Sequence, residues 1–525
     1  MPLDVPLIGA RSAVWMAAQL HLYLAAFVLG APIFIVLCEY LGAPSGLRNW
    51  RYRLPLAGTL AVLFLLAFLF ADRTVDRIII VIAASLLVVI VLFLRSTGDQ
   101  RYERLAKETM KVVAIAYSLT ALAGAAFGFV LMGFYGAFMQ DLFQRFGPVV
   151  GMYIVLFFVE TLLMYVYWYT WDQLKERKGV HISIGVALNI VGTVMMLLIN
   201  AVGAYMLTPP ESAEATSLWA RVNNDSWSGL NLHRFIANIT FGGFVVALFA
   251  AFMFLTTRND EDRAFYDWMG YLGNFIGVAT LMALPLAGYI LAKELFLYDA
   301  TIATFMMADK LSTFFVMQGL LVGLLFLGAN YYMWMSIRRI TGAESYLSYM
   351  RPAFAVILVG TVIWVTPQNF LPDLTTPVPE GIGEDAIFIP ERMAFLGLMA
   401  AKALAVTAII LVTFLTYMVY RRAVAQGTIR WGEIPPQAQY ALVFIPAVAV
   451  YLMGLMGAIR ELARQDWHVY TVVRDTTPYW YTPTLGHTSI MVGTVTLVFF
   501  ALLGFIFWIG FKVGGSDHEV IEGTR

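Results

Sequence analysis

Apolar runs of about 20 residues recur along nearly the whole chain, and that is the length an α-helix needs to cross the ~30 Å hydrocarbon core of a bilayer. With 60% hydrophobic residues, 13% charged residues and a mean hydropathy of +0.75, such runs specify a polytopic membrane protein rather than a soluble globule. The longest polar stretches, Thr208–Asn231, Thr366–Glu391 and Arg460–Gly486, are too short to hold cores of their own. The expected fold is therefore all-α, a transmembrane helical bundle forming a single integral membrane domain over residues 1–525.

Apolar windows place about 13 spans, near 13–40, 54–71, 78–95, 109–136, 149–171, 181–206, 232–256, 265–292, 311–337, 352–366, 390–419, 437–460 and 488–512. Basic residues follow the odd-numbered spans: Arg48, Arg51 and Arg53; Arg95, Arg101, Arg104, Lys107 and Lys111; Lys175, Arg177 and Lys178; Arg258 and Arg263; Arg338 and Arg339; Arg421, Arg422 and Arg430. The positive-inside rule makes these loops cytoplasmic, with the N-terminus outside, the C-terminus inside and the loops 208–231, 366–391 and 460–487 on the outer face. In a cell this predicts a multi-pass protein of the inner (cytoplasmic) membrane. Met1–Gly9 lacks the basic start of a signal peptide, so the first apolar run is expected to stay as a span. Balanced charge, 34 basic against 34 acidic residues, gives no sign of a nucleic-acid partner. Cys38 is the only cysteine, which excludes an internal disulfide, a CxxCH haem attachment and a cysteine-held iron–sulfur cluster.

Four residues of ligand type fall on four of these spans, all in the outer half by helical rise: His21, His233, Met393 and Glu461. An imidazole in hydrocarbon needs a partner, so His21 is either a structural histidine bonded to a neighbouring helix or a metal ligand. His233 and Met393 together can hold a six-coordinate, low-spin haem, although a methionine in a membrane helix is far more often packing. Glu461, Arg464, Gln465 and His468 share one face at helical spacing, which reads either as an ion pair of Glu461 with Arg464 or as a weak ligand beside an arginine placed for haem propionates. Glu160, near the middle of its span, is by default a functional carboxylate such as a proton relay, the bland reading being a hydrogen bond to Asn189 or Asn200. Lys402 is a second charge inside a span and a possible partner for Glu160; no role is assigned to His468 or His487.

In order along the chain these segments resemble subunit I of the cytochrome bd oxidases. Arg11 to Glu39 resembles the first helix with its haem-ligand histidine at His21, and Phe157-Phe158-Val159-Glu160-Thr161 with Trp171-Asp172-Gln173-Leu174 resembles the helix bearing a conductive glutamate. Asn189 to Pro209 and then His233 resemble the next helices, Met393 takes the place of the methionine partner, and Glu461-Leu462-Ala463-Arg464-Gln465-Asp466-Trp467 resembles the family's glutamate followed by Gly-Arg-Gln-Pro-Trp. The resemblance covers about two-thirds of the chain. It implies a haem b held by His233 and Met393, two high-spin haems (b and d, or both b-type) near His21 and Glu461, and Arg464 and Trp467 beside them. It also implies a second membrane subunit with small single-span subunits, in a lipid-embedded complex that passes electrons from a quinol, or another outer-side donor, to oxygen. Protons would enter from the cytoplasm, with Glu160, Glu461 and Arg464 in the catalytic machinery.

Departures from the family pattern are specific. Ala463 and Asp466 replace its glycine and proline, Met152 stands where a second proton-path carboxylate is expected, and Glu391-Arg392 precedes the methionine. Hairpins over 51–96 and 309–366 read as insertions, the second in place of the long quinol-binding loop; subtracting both leaves nine spans. With that loop missing, the rival reading is a bd-like subunit passing electrons between quinone and a periplasmic cytochrome, or a larger respiratory complex, without reducing oxygen. A haem-free ion-coupled transporter, with Glu160 and Lys402 as the coupling charges, is a more distant reading.

Overall fold

The computed structural model describes residues 8–44, 81, 96–211, 217–307, 310–367, 399–475 and 485–522. Among the described residues twelve long helices form: α1 Gly9–Gly42, α2 Gln100–Phe134, α3 Gly136–Tyr169, α4 Lys178–Tyr205, α5 Trp227–Thr256, α6 Asp260–Leu281, α7 Leu284–Tyr298, α8 Ser312–Ile337, α9 Met350–Val365, α10 Ala400–Gln426, α11 Pro436–Ala463 and α12 Leu485–Glu522. Among the described residues, eleven candidate spans are long and apolar enough to cross a membrane, α6 and α7 counting as one. These match eleven of the expected thirteen. Apart from residue 81, the expected spans 54–71 and 78–95, the hairpin at 51–96 that holds them up to residue 95, and residues 368–398, with most of the expected outer loop 366–391 and Met393, lie outside the described residues.

One expected span is interrupted, and one helix carries a kink. The span expected at 265–292 is interrupted at Met282–Ala283, and Pro285, which has no N–H to donate, sits in the first turn of α7, where none is needed. In α3 the backbone leaves helical geometry at Phe146 (φ −122°, ψ 16°), two residues before Pro148.

The described residues form two compact units: 1–31, 115–155 and 193–525 in the first, and 32–114 and 156–192 in the second. In the first unit, α5 is its most enclosed helix, buried on every side from Thr240 to Ala251. It meets α6 through glycines: a Cβ on Gly243 would stand 2.7 Å from the Gly277 nitrogen and 2.8 Å from the Gly273 oxygen, so only hydrogen allows this backbone approach. α8 and α9 are the two helices of the 309–366 hairpin. α8 packs on α11, and α9 on α10. After α8 the chain is pinned by a fully buried ion pair, Arg339 to Asp267. Asp267 also accepts from the Gly432 N–H at 3.0 Å, and Arg339 lies 4.3 Å over the Trp431 ring. A two-residue strand pair, β1 Ile340–Thr341 with β2 Thr428–Ile429, closes the same place.

The second unit is built from the 32–42 part of α1, 100–114 of α2, 156–169 of α3 and 178–192 of α4. Large apolar side chains such as Phe158 and Leu162 point outward at 66% and 64% exposure, as lipid-facing positions do.

Candidate functional site

His21 lies in the middle of α1. Its Nδ1 is 3.2 Å from the Thr120 carbonyl oxygen on α2, and its ring stacks on Phe127. A carbonyl only accepts, so Nδ1 carries the hydrogen and Nε2 keeps its lone pair. The imidazole is admitted by Gly124, where a Cβ would stand 2.9 Å from Cε1. The ring is thus bonded to a neighbouring helix, and a bond of this kind at Nδ1 is one that can orient a metal-ligating histidine.

Further toward the start of α1, Arg11 reaches Glu461 at the end of α11. Its Nε donates to Oε1 at 2.9 Å, Nη2 to the Glu461 carbonyl at 2.9 Å and Nη1 to the Gln465 carbonyl at 2.5 Å. Arg464 donates to the other carboxylate oxygen and to the His468 carbonyl. Glu461 is therefore an ionised carboxylate between two guanidinium groups, held by charge-assisted hydrogen bonds. The expected shared helical face stops short: α11 ends at Ala463, Gln465 is left-handed (φ 52°), and His468 belongs to a strand pair, β3 Trp467–Val469 with β4 Val473–Arg474. His468 packs against the Tyr135 and Phe138 rings at 4.4 and 4.9 Å and sits 3.4 Å from Asp475. Burial pushes its imidazole down to about 4, against the pull of Asp475. Trp467 is half-buried against the apolar cluster that includes Leu207, Leu295 and Tyr470.

His233 stands two turns into α5. Leu232 to Ile239 are partly accessible all round the helix, in contrast to the closed stretch that follows, and Gly288 of α7 leaves its ring in ordinary contact distance. Beside it, Arg234 donates to Asn200 at 2.6 Å, and Asn200 donates to Asn231 at 2.8 Å. Arg460, next to Glu461, donates to the Gly203 carbonyl. Asn200 and Gly203 lie one turn apart on α4, so the structure brings the His233 and Glu461 neighbourhoods together across it.

Glu160 is buried on α3 in the second unit. Of the two asparagines considered for it, Asn200 is engaged by Arg234, and Asn189 donates to the Gly185 carbonyl of its own helix. Lys402 is in the first unit, its ammonium 5.8 Å from the Phe315 ring centroid.

Sequence reasoning passed over Arg11, Arg234 and Arg460, and the pair Glu39–His181 described below. Each is an ionisable residue inside or at the end of an apolar run, the same signal that singled out Glu160, but masked by the run's end.

Among the described residues no group of three or more His, Cys, Asp or Glu side chains could hold a bare metal ion. A haem asks less of the chain, one or two axial ligands and cations for its carboxylates, because the porphyrin supplies the remaining nitrogens. An oriented His21, a loosely enclosed His233, two arginines on Glu461 and two more, Arg234 and Arg460, bonded to neighbouring positions of α4 fit that requirement.

Residues 65–313, just under half of the chain, match the family model described as cytochrome bd terminal oxidase subunit I. Over that segment the chain is similar to cytochrome bd terminal oxidase subunit I. The bd match holds Glu160 and His233, begins within the 51–96 hairpin, and leaves His21, Met393 and Glu461 outside its bounds. No curated protein matches the chain. Among solved structures, the bd oxidase from Geobacillus thermodenitrificans is similar at 15% identity and a TM-score of 0.43, over 87% of this chain and 98% of that one. At that score the likeness carries no argument.

Proposed function

We propose that this chain is the haem-bearing subunit of a bd-type respiratory oxidase, taking electrons from a quinol or another outer-side donor and reducing oxygen to water. The observation that carries this reading is the subunit I match over 65–313, which holds both His233 and Glu160. Bound haem would supply the one-electron and oxygen chemistry that imidazole and carboxylate side chains lack. The chain's own residues do the rest. Thr120 fixes the His21 tautomer so that Nε2 would be the ligand atom, and His233 with Met393 would provide the ligand pair of a low-spin haem. Arg11 and Arg464 keep Glu461 ionised as the third anchoring point, with Trp467 beside it. Arg234 and Arg460 would offer positive charge to haem carboxylates. Glu160 holds a proton inside the bilayer, on a path that the basic loops orient from the cytoplasm outward. A second membrane subunit and small single-span subunits complete the complex.

A reduced-minus-oxidised spectrum of the purified protein, with and without carbon monoxide, tests this. Low-spin and carbon-monoxide-sensitive high-spin bands are expected. Haem that ignores carbon monoxide would move the reading to electron transfer without oxygen reduction, and absence of haem would sink both.

A further inference from the structure

The second unit buries a cluster of ionisable groups that the haem chemistry does not use. Glu39 of α1 and His181 and Tyr167 of α4 and α3 are fully enclosed, each at 0% exposure. His181 Nδ1 lies 2.5 Å from Glu39 Oε1, and its Nε2 lies 2.8 Å from the Tyr167 carbonyl oxygen. The Tyr167 hydroxyl donates to Glu39 Oε2 at 2.5 Å. Lys178 donates to Glu39 Oε1 at 3.2 Å and also to Glu103 of α2, which accepts from the Trp171 indole at 2.9 Å. Exposure rises along this series, from 0% at the Glu39 side chain through 10% at Lys178 to 21% at Glu103. At the rim Lys107 pairs with Asp172, whose side chain is 76% exposed.

The geometry fixes how many protons this cluster holds. Nε2 faces a carbonyl, which cannot donate, so Nε2 carries a hydrogen. Nδ1 then faces a carboxylate oxygen at hydrogen-bond distance, and two lone pairs cannot meet there. One proton must lie between Glu39 and His181. With it, two carboxylates are balanced by Lys178 and the shared proton; without it, a buried negative charge is left uncompensated. The site therefore binds one proton, in contact with the cytoplasmic rim through Lys178 and Glu103. Tyr167, which closes it, is seven residues along α3 from Glu160, about 10 Å by helical rise and on the same face.

We infer that the Glu39–His181 pair is a proton-holding station. It is filled from the cytoplasmic side by way of Glu103 and Lys178, and it supplies Glu160. A proton taken up by Glu103 is passed on as Lys178 donates one of its own to Glu39 and regains one from Glu103; no electron moves and no bond other than N–H and O–H is made or broken. The inference rests on the oxidase reading above, which gives the protons a destination.

The test uses the whole complex in proteoliposomes, with a pH dye on the side of the basic loops. Reduced protein is mixed rapidly with oxygen, and haem oxidation and proton uptake are followed in the same shot. Glu39→Gln is expected to keep the haem bands and the first oxidation step while slowing proton uptake at least tenfold. Tyr167→Phe, which preserves packing and removes only the hydroxyl, is expected to slow it severalfold and covers the case in which Glu39→Gln does not fold. Wild-type uptake rates in these variants overturn the inference. If haem is present but oxygen does not react, the oxidase reading fails separately. The same dye then follows uptake on haem reduction by a photoreduced flavin, and unaltered uptake in the variants again overturns the inference.

Discussion

Replacing Gly124 by alanine adds one methyl group at a place where the structure leaves no room, and Gly128, one turn further along α2, provides the control. A Cβ at Gly124 would stand 2.9 Å from His21 Cε1 and 3.2 Å from Nδ1, whereas nothing lies within 4 Å of a Cβ at Gly128. Carbon atoms rest at about 3.5–4.0 Å, so the imidazole must retreat by roughly half an ångström or more. Its hydrogen bond to Thr120 is already 3.2 Å long and does not survive that shift. The loss is about 1 kcal/mol for the bond itself. Removing the group that orients a ligand imidazole costs a further ~10–100-fold in affinity for what it binds. Gly128→Ala instead gains roughly 0.5–1 kcal/mol of helix stability without meeting anything. The assay is haem content per protein, together with the carbon-monoxide difference spectrum and thermal denaturation of both variants. Gly124→Ala is expected to lose or shift the high-spin signal while Gly128→Ala keeps it. If both variants bind haem like the parent, His21 does not depend on its Thr120 bond and the assignment of its Nε2 as ligand atom is refuted.

His233→Ala is expected to remove the low-spin band alone; loss of all bands together would indicate a folding role instead. Breaking the fully buried pair with Arg339→Met strands Asp267 and is expected to cost about 3–5 kcal/mol, seen as an earlier thermal transition, with much of it regained in Asp267→Asn/Arg339→Met; an unchanged transition in the single variant would refute it. His468, held at about 4 in the folded protein against ~6.5 unfolded, favours folding fully above about 6.5. That contribution, up to ~3 kcal/mol, is lost as pH falls from there toward 4, because the unfolded chain binds the proton first. His468→Gln should therefore show a flatter decline in thermal stability between pH 7 and pH 5, and parallel curves for variant and parent would count against a buried neutral imidazole.

The spans were legible because their cause is local. A stretch of some 20 apolar residues has one low-energy arrangement in lipid, and eleven of the thirteen expected appear among the described residues. What the pattern could not give was where a helix breaks within such a run. Pro285 sits in an apolar run and Pro148 just before one, and only the packed chain settles whether the helix there bends or parts. Site residues divide along the same line. His21, His233, Glu160 and Glu461 stood out in the sequence because ionisable groups in hydrocarbon are costly and need a reason.

Their partners did not stand out. Arg11 and Glu461 are 450 residues apart, and so are not linked by any local pattern. Likewise, the Thr120 carbonyl that orients His21 is a backbone atom with no sequence signature, and Glu39 meets His181 only where α1 and α4 pack. The sequence by itself determined the solvent this chain folds in and which residues would be expensive to bury there. The tertiary structure alone decided what offsets that expense, because the partner of a buried charge is chosen by packing across helices and not by order along the chain.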